Sequence, residues 1–133
     1  MEEIIVYNKK QDEVAQEICD KLLEIIVDEL GAKTTSKLWH GAPVWFDDGN
    51  PVAGYSVRKD GVQLLFWSGM SFDEPTLTRV GDKYPTGEAR YGAASDINES
   101  DVRRWLQKSL KFQWDYKNIV KRRGELLPRM GVK

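Results

Sequence analysis

The single histidine of the chain, His40, lies among residue types that could form a binding site. It follows Trp39 and precedes Gly41 and Pro43, a combination that predicts a turn. An imidazole can bind a metal ion or donate a proton near neutral pH. We therefore consider a ligand pocket with the histidine at its rim and aromatic walls. The pocket candidates are Trp39, His40, Trp45, Tyr55 and Trp67. The alternative is a turn histidine beside ordinary core aromatics, because strands favour such residues.

An acidic stripe lies on one face of the first predicted helix. Its members fall within an arc of about 80° when residues are placed at 100° intervals. They are Glu13, Glu17, Asp20, Glu24 and Asp28. Neighbouring like charges at this spacing destabilise an isolated helix by a few tenths of a kcal/mol per pair. A divalent cation, which prefers carboxylate oxygens, or a basic protein surface would offset that repulsion. The alternative is an ordinary solvated face.

A tryptophan on a basic helix face is the third feature. The second long helix is predicted over residues 99–123, and Trp114 falls about 150° from the centre of its apolar face. The neighbours expected there are Arg103, Leu110 and Lys121. Either the tail at residues 126–128 covers the indole, or the indole anchors a partner such as a second copy of the chain.

Other kinds of chemistry lack the residues they need. One histidine and one cysteine cannot supply a zinc site of three or four such ligands, and there is no glycine-rich phosphate loop. Cys19 falls on the apolar side of the first helix, where we expect a small core residue. No catalytic constellation stands out, so we expect a binding protein rather than an enzyme.

Charge is distributed unevenly along the chain. Residues 1–30 hold three Lys/Arg and nine Asp/Glu, whereas residues 101–133 hold ten Lys/Arg and three Asp/Glu. This asymmetry predicts a homodimer or another partner of opposite charge. The chain as a whole is slightly acidic, with a pI near 5.9, and this disfavours binding to nucleic acid. Short apolar runs, one cysteine and no secretory pattern predict a cytoplasmic protein without a membrane partner.

Hydrophobic periodicity assigns the elements that position these residues. A helical period over residues 12–30, capped by Asp12, changes to a period of two between 37 and 67. The predicted strands are 44–46, 52–58, 62–67 and 88–91. The fold class is α+β, a two-layer sandwich with an antiparallel sheet of four to six strands and two long terminal helices on one face. We expect one domain over residues 1–124 and an irregular tail over 125–133.

Several short motifs, in order, resemble the YdhG-like family of bacterial domains of unknown function. They are 38–46 (LWHGAPVWF), 50–55 (NPVAGY), 84–87 (YPTG) and 113–122 (QWDYKNIVKR). The resemblance covers about residues 12–124 and implies a two-layer fold similar to frataxin. It also implies an iron-chaperone role, proposed for some members, with weakly bound iron as the cofactor. Many relatives follow the Thr-Gly loop with a Lys/Gly-rich segment, where this chain has residues 88–91 (EARY).

Three functional hypotheses follow. The first is a non-enzymatic cytoplasmic binding module with frataxin-like iron handling. The second is a small-molecule or enzymatic site on the His40 aromatic cluster. The third is a protein-interaction domain that forms a homodimer.

Overall fold

Three helices are present in the computed structural model, which describes all of residues 1–133. They are α1 (Glu2–Lys9), α2 (Glu13–Leu30) and α3 (Glu99–Lys111). The predicted first helix is confirmed as α2, and the Asp12 carboxylate caps it by accepting from the amide of Ala15 at 2.9 Å. The sequence analysis missed α1. None of the helices has the length and apolar character needed to cross a membrane.

Six strands form one antiparallel sheet in the order β1-β2-β3-β4-β6-β5. They are β1 (Thr35–Trp39), β2 (Ala42–Asp47), β3 (Asn50–Arg58), β4 (Gly61–Phe66), β5 (Thr78–Arg79) and β6 (Gly87–Tyr91). A two-residue turn at His40 and Gly41 joins β1 to β2, and both residues have positive φ. That geometry matches the right-handed twist of the flanking strands. The predicted antiparallel sheet is therefore confirmed.

The hydrophobic core lies between one face of this sheet and the helices. Tyr55 and Leu64 are cross-strand partners on the core face and are buried, as are Ile18 and Leu22 of α2 and Leu106 of α3. The residues that alternate with them on β3 and β4 point to the opposite face, because successive side chains of a strand alternate. Those opposite-face residues are Gly54, Ser56, Arg58, Gln63 and Leu65, and Trp67 directly follows β4.

The second long helix ends twelve residues earlier than the predicted residue 123. It stops at Lys111, and Phe112 has an extended backbone with φ −124°. Strand β7 (Gln113–Asp115) follows and pairs antiparallel with β8 (Leu127–Met130). The expectation of an irregular tail over residues 125–133 was therefore wrong. Buried hydrogen bonds to distant residues hold the segment after Lys111, and they outweigh its helical pattern.

Glu74 links the loop after β4 to α3. Its side chain is only 6% exposed and forms ion pairs with Arg104 and Lys108. It also accepts from the indole nitrogen of Trp105 at 2.9 Å. The hydrogen bonds from Arg104 are the main reason that the pKa of the Glu74 carboxyl lies well below its usual range.

We expect Glu74→Gln to lower the free energy of unfolding at pH 7 by about 2 kcal/mol, because charged hydrogen bonds are lost. A carboxyl whose pKa is lowered by folding stabilises the native state above its unfolded pKa, and this contribution disappears as pH falls. The variant should therefore lose stability less steeply than the native chain between about pH 5 and pH 2. Denaturant titration across that range measures both effects.

Asp73→Asn is the matched control, because Asp73 is the exposed neighbour and forms no ion pair. If the unfolding free energy fell equally steeply with decreasing pH in the native chain and in Glu74→Gln, the predicted contribution of the Glu74 carboxylate to stability would be contradicted.

Candidate functional site

A cavity of about 320 Å³ lies where β2 separates from β3. The two strands pair from Asp47↔Asn50 to Val44↔Gly54, and the second half of β3 has no partner on that side. The amide of Val57 donates instead to the hydroxyl of Tyr7 on α1 at 3.0 Å. This contact satisfies a backbone group that would otherwise be unpaired, so the separation of the strands is stable.

Two tryptophans form the aromatic wall of the cavity. The ring centroids of Trp39 and Trp67 are 6.1 Å apart, and Trp39 also packs edge-on against Phe46 at 5.6 Å. Gly54 forms the floor beneath them. A β-carbon on Gly54 would lie 2.6 Å from the Pro43 carbonyl oxygen and 3.4 Å from the Trp67 ring. Only glycine therefore permits this approach of backbone and indole.

A polar network fixes the opposite wall. The carboxamide of Gln63, which is 5% exposed, donates to Glu88 at 3.1 Å. Its oxygen accepts from Ser56 at 3.2 Å and from the guanidinium of Arg58 at 3.1 Å. Arg58 forms no ion pair, so its positive charge has no carboxylate partner where it lines the cavity.

The structure brings together four of the five predicted pocket residues. Trp39, His40 and Trp67 line the cavity, and Tyr55 borders it while its hydroxyl donates to Asn8 at 2.7 Å inside the core. Trp45 does not belong to the site. It is 1% exposed and packs on Tyr55 in the core, because it follows Val44, which takes the cavity side of β2.

Sequence reasoning missed Ser56, Arg58 and Gln63, the polar strand residues of the cavity. The alternation of the predicted strands does place them opposite Tyr55 and Leu64. That alternation was the signal available to find them. Cys19, by contrast, is in the core as expected, and burial raises the pKa of its thiol to about 12.

The acidic stripe is exposed along α2, but it forms no metal centre. No three His, Cys, Asp or Glu residues come close enough together to hold a metal ion. Within the stripe, Asp20 accepts from Asn8 at 3.0 Å and Asp28 pairs with Arg103 at 2.6 Å. Glu13, Glu17 and Glu24 remain exposed. Iron binding therefore stays a prediction.

The predicted partner-contact residues do not share a helix face. Trp114 lies on β7 opposite Pro128 of β8, and Lys121 lies on the turn between those strands. Leu110 is half-buried against the core. Arg103 bridges α3 to α2 through Asp28 and Glu29, so part of the opposite charge of the two helices is neutralised within one molecule.

A buried asparagine holds the segment after α3 against the sheet. The carboxamide of Asn50 donates to Gln113 and to the Trp114 carbonyl, both at 3.0 Å. Its oxygen accepts from the amides of Tyr116 at 2.9 Å and Lys117 at 3.0 Å. The sequence singled out Trp114 and a resemblance in this segment, but not its contact with Asn50, which lies more than sixty residues away.

The same segment positions the aromatic wall. The hydroxyl of Tyr116 donates to the carbonyl of Trp67 at 2.6 Å. Burial raises the pKa of Tyr116 to about 12, so the hydroxyl stays protonated and donating at neutral pH. Asn50 thus acts on the cavity through Tyr116 and Trp67.

Comparison with known proteins identifies no relative. The chain matches no protein-family model, no curated protein and no solved structure. The assignment of a function therefore rests on the geometry of the cavity.

We expect Asn50→Ala to lower the free energy of unfolding by about 3 kcal/mol, because several buried polar groups lose their partners. Hydrogen exchange at the amides of Tyr116 and Lys117 should accelerate in the same variant. Asn98→Ala is the control: it removes the cap of α3 and should cost about 1 kcal/mol without changing those two amides. Equal exchange at these amides in the two variants would contradict the role of Asn50.

A substitution at Trp114 distinguishes packing against the tail from contact with a partner molecule. Its amide and indole nitrogen donate to Ser68 at 2.9 Å and Ser71 at 3.0 Å, and β8 lies beside it. We expect Trp114→Ala to cost about 3 kcal/mol of unfolding free energy without changing the mass measured by light scattering. Val120→Ala, at a side chain 86% exposed, should change neither. A fall in mass with unchanged stability would instead support the homodimer hypothesis.

Proposed function

We propose that the protein binds a small organic anion with a flat, apolar ring in the cavity between β2 and β3. The observation that carries this proposal is the position of an exposed guanidinium with no direct ion pair beside a tryptophan wall. Arg58 lines the same cavity as Trp39 and Trp67, and it forms no ion pair with a carboxylate of the chain.

Each wall matches one part of such a ligand. The faces of Trp39 and Trp67 offer a large apolar surface on which a ring can stack. A guanidinium presents several N–H donors in a planar fork that fits carboxylate, sulfonate or phosphate oxygens. The hydrogen bond to Gln63 holds one of these donors in place, which lowers the entropy lost when an anion binds.

The residues around the cavity support binding rather than catalysis. The hydroxyl of Ser56 donates to Gln63, so it is not paired with His40 as a nucleophile would be with its base. The His40 ring packs against Trp39 at a tilt of 51°, with ring centroids 4.4 Å apart, at the exposed turn that forms the rim. There a ring N–H can donate to the ligand.

The fluorescent anion 8-anilinonaphthalene-1-sulfonate tests the proposal against its neutral counterpart N-phenyl-1-naphthylamine, which lacks the sulfonate. We expect saturable binding of one sulfonate dye per chain. Arg58→Gln should weaken this binding about tenfold, which corresponds to one charged hydrogen bond. The same variant should leave the affinity of the neutral dye unchanged.

Two further variants serve as controls. Trp67→Leu should weaken the binding of both dyes, because it removes part of the stacking surface. Arg123→Gln, at an exposed arginine outside the cavity, should affect neither. If Arg58→Gln and Trp67→Leu both bind the sulfonate dye like the native chain, the dye binds elsewhere and the proposal is wrong.

A further inference from the structure

A second cavity continues the first across the open face of the sheet. Its volume is about 420 Å³, and it shares with the first cavity the residues Arg58, Gln63, Leu65 and Trp67. The remaining lining comes from the loop between β5 and β6, at residues 80–86. Because four residues border both spaces, the two cavities are adjacent, and we describe them together as one groove with Arg58 in the lining of each half.

The second cavity repeats the chemistry of the first. Tyr84 supplies an aromatic ring, and the ammonium group of Lys83 lies 5.2 Å from the centroid of that ring. Lys83 forms no ion pair within the chain, as is also true of Arg58. Each half of the groove therefore combines an aromatic surface with a cation that has no carboxylate partner.

The loop that carries these residues is held in place. The amide of Val80 donates to the carbonyl of Thr86 at 2.9 Å, which closes the loop at its base. The Tyr84 ring packs edge-on against Tyr116 at 6.1 Å, and its hydroxyl donates to the carbonyl of Gly124 at 3.3 Å. The aromatic surface of the second cavity is thus fixed to the same segment that positions Trp67.

We infer that the groove takes an elongated ligand with two flat rings and two anionic groups, one anion at Arg58 and the other at Lys83. This inference rests on the proposed function, because the first ring and anion occupy the cavity described there. Asp82 also lines the second cavity and opposes a second anion. The inference therefore predicts that removing the charge of Asp82 strengthens binding of a dianion.

The test compares 8-anilinonaphthalene-1-sulfonate with its covalent dimer, which carries two dye units and two sulfonates. In the native chain we expect the dimer to bind about tenfold more tightly, because its second unit binds intramolecularly. Lys83→Gln should weaken binding of the dye dimer about threefold to fivefold, as expected for an exposed ion pair. It should leave the affinity for the single dye unchanged. Asp82→Asn should strengthen binding of the dye dimer and leave binding of the single dye unchanged.

Lys59→Gln is the matched control, since Lys59 is exposed on the turn between β3 and β4 and lines neither half of the groove. The inference is overturned if the dimer binds no more tightly than the single dye, or if Lys83→Gln and Lys59→Gln weaken it equally. Failure of the proposed function looks different, because Arg58→Gln would then leave the single dye unaffected.

Discussion

The carboxamide of Asn50 is the contact on which the rest of the structure depends. It is fully buried, and four hydrogen bonds satisfy its donors and its acceptor through residues 113–117. An unpaired buried amide would cost about 1–3 kcal/mol for each lost partner, so the segment after Lys111 is bound in one conformation. That conformation ends α3, starts β7 and directs the Tyr116 hydroxyl to the carbonyl of Trp67. The fold and the aromatic wall are therefore coupled through one side chain.

The cavity itself arises from departures from regular strand pairing. The register of β2 and β3 shifts between Trp45 and Phe46, and their pairing stops at Val44↔Gly54. If the pairing continued in this register, Ala42 at the start of β2 would lie beside Ser56 and occupy part of this space. The Tyr7 hydroxyl accepts from the Val57 amide, which has no strand partner. Gly54 lets the Trp67 ring approach the strand. Sheet irregularities commonly redirect side chains next to binding sites, and here they bring apolar and cationic groups to one opening.

Local patterns predicted the elements whose structure is set locally. The helical period and Asp12 predicted α2, and the alternation around Tyr55 predicted the central strands. The end of α3 could not be predicted in this way, because it is set by Asn50 from more than sixty residues away. Four of the five residues predicted for a pocket do line one cavity, yet Trp45 was misplaced because residue type alone does not decide which face of a strand is used. Arg58 attracted no attention because a lone charged strand residue usually faces solvent.

The most direct test of the groove as a ligand site uses the five tryptophan indole N–H resonances of the chain as reporters. In a titration with 8-anilinonaphthalene-1-sulfonate followed by ¹⁵N–¹H correlation spectra, the signals of Trp39 and Trp67 should shift together and saturate. Trp45 lies in the core, and the indoles of Trp105 and Trp114 are bonded to Glu74 and Ser71, so their signals should stay in place. Shifts at Trp114 or Trp105 with none at Trp39 and Trp67 would contradict the account.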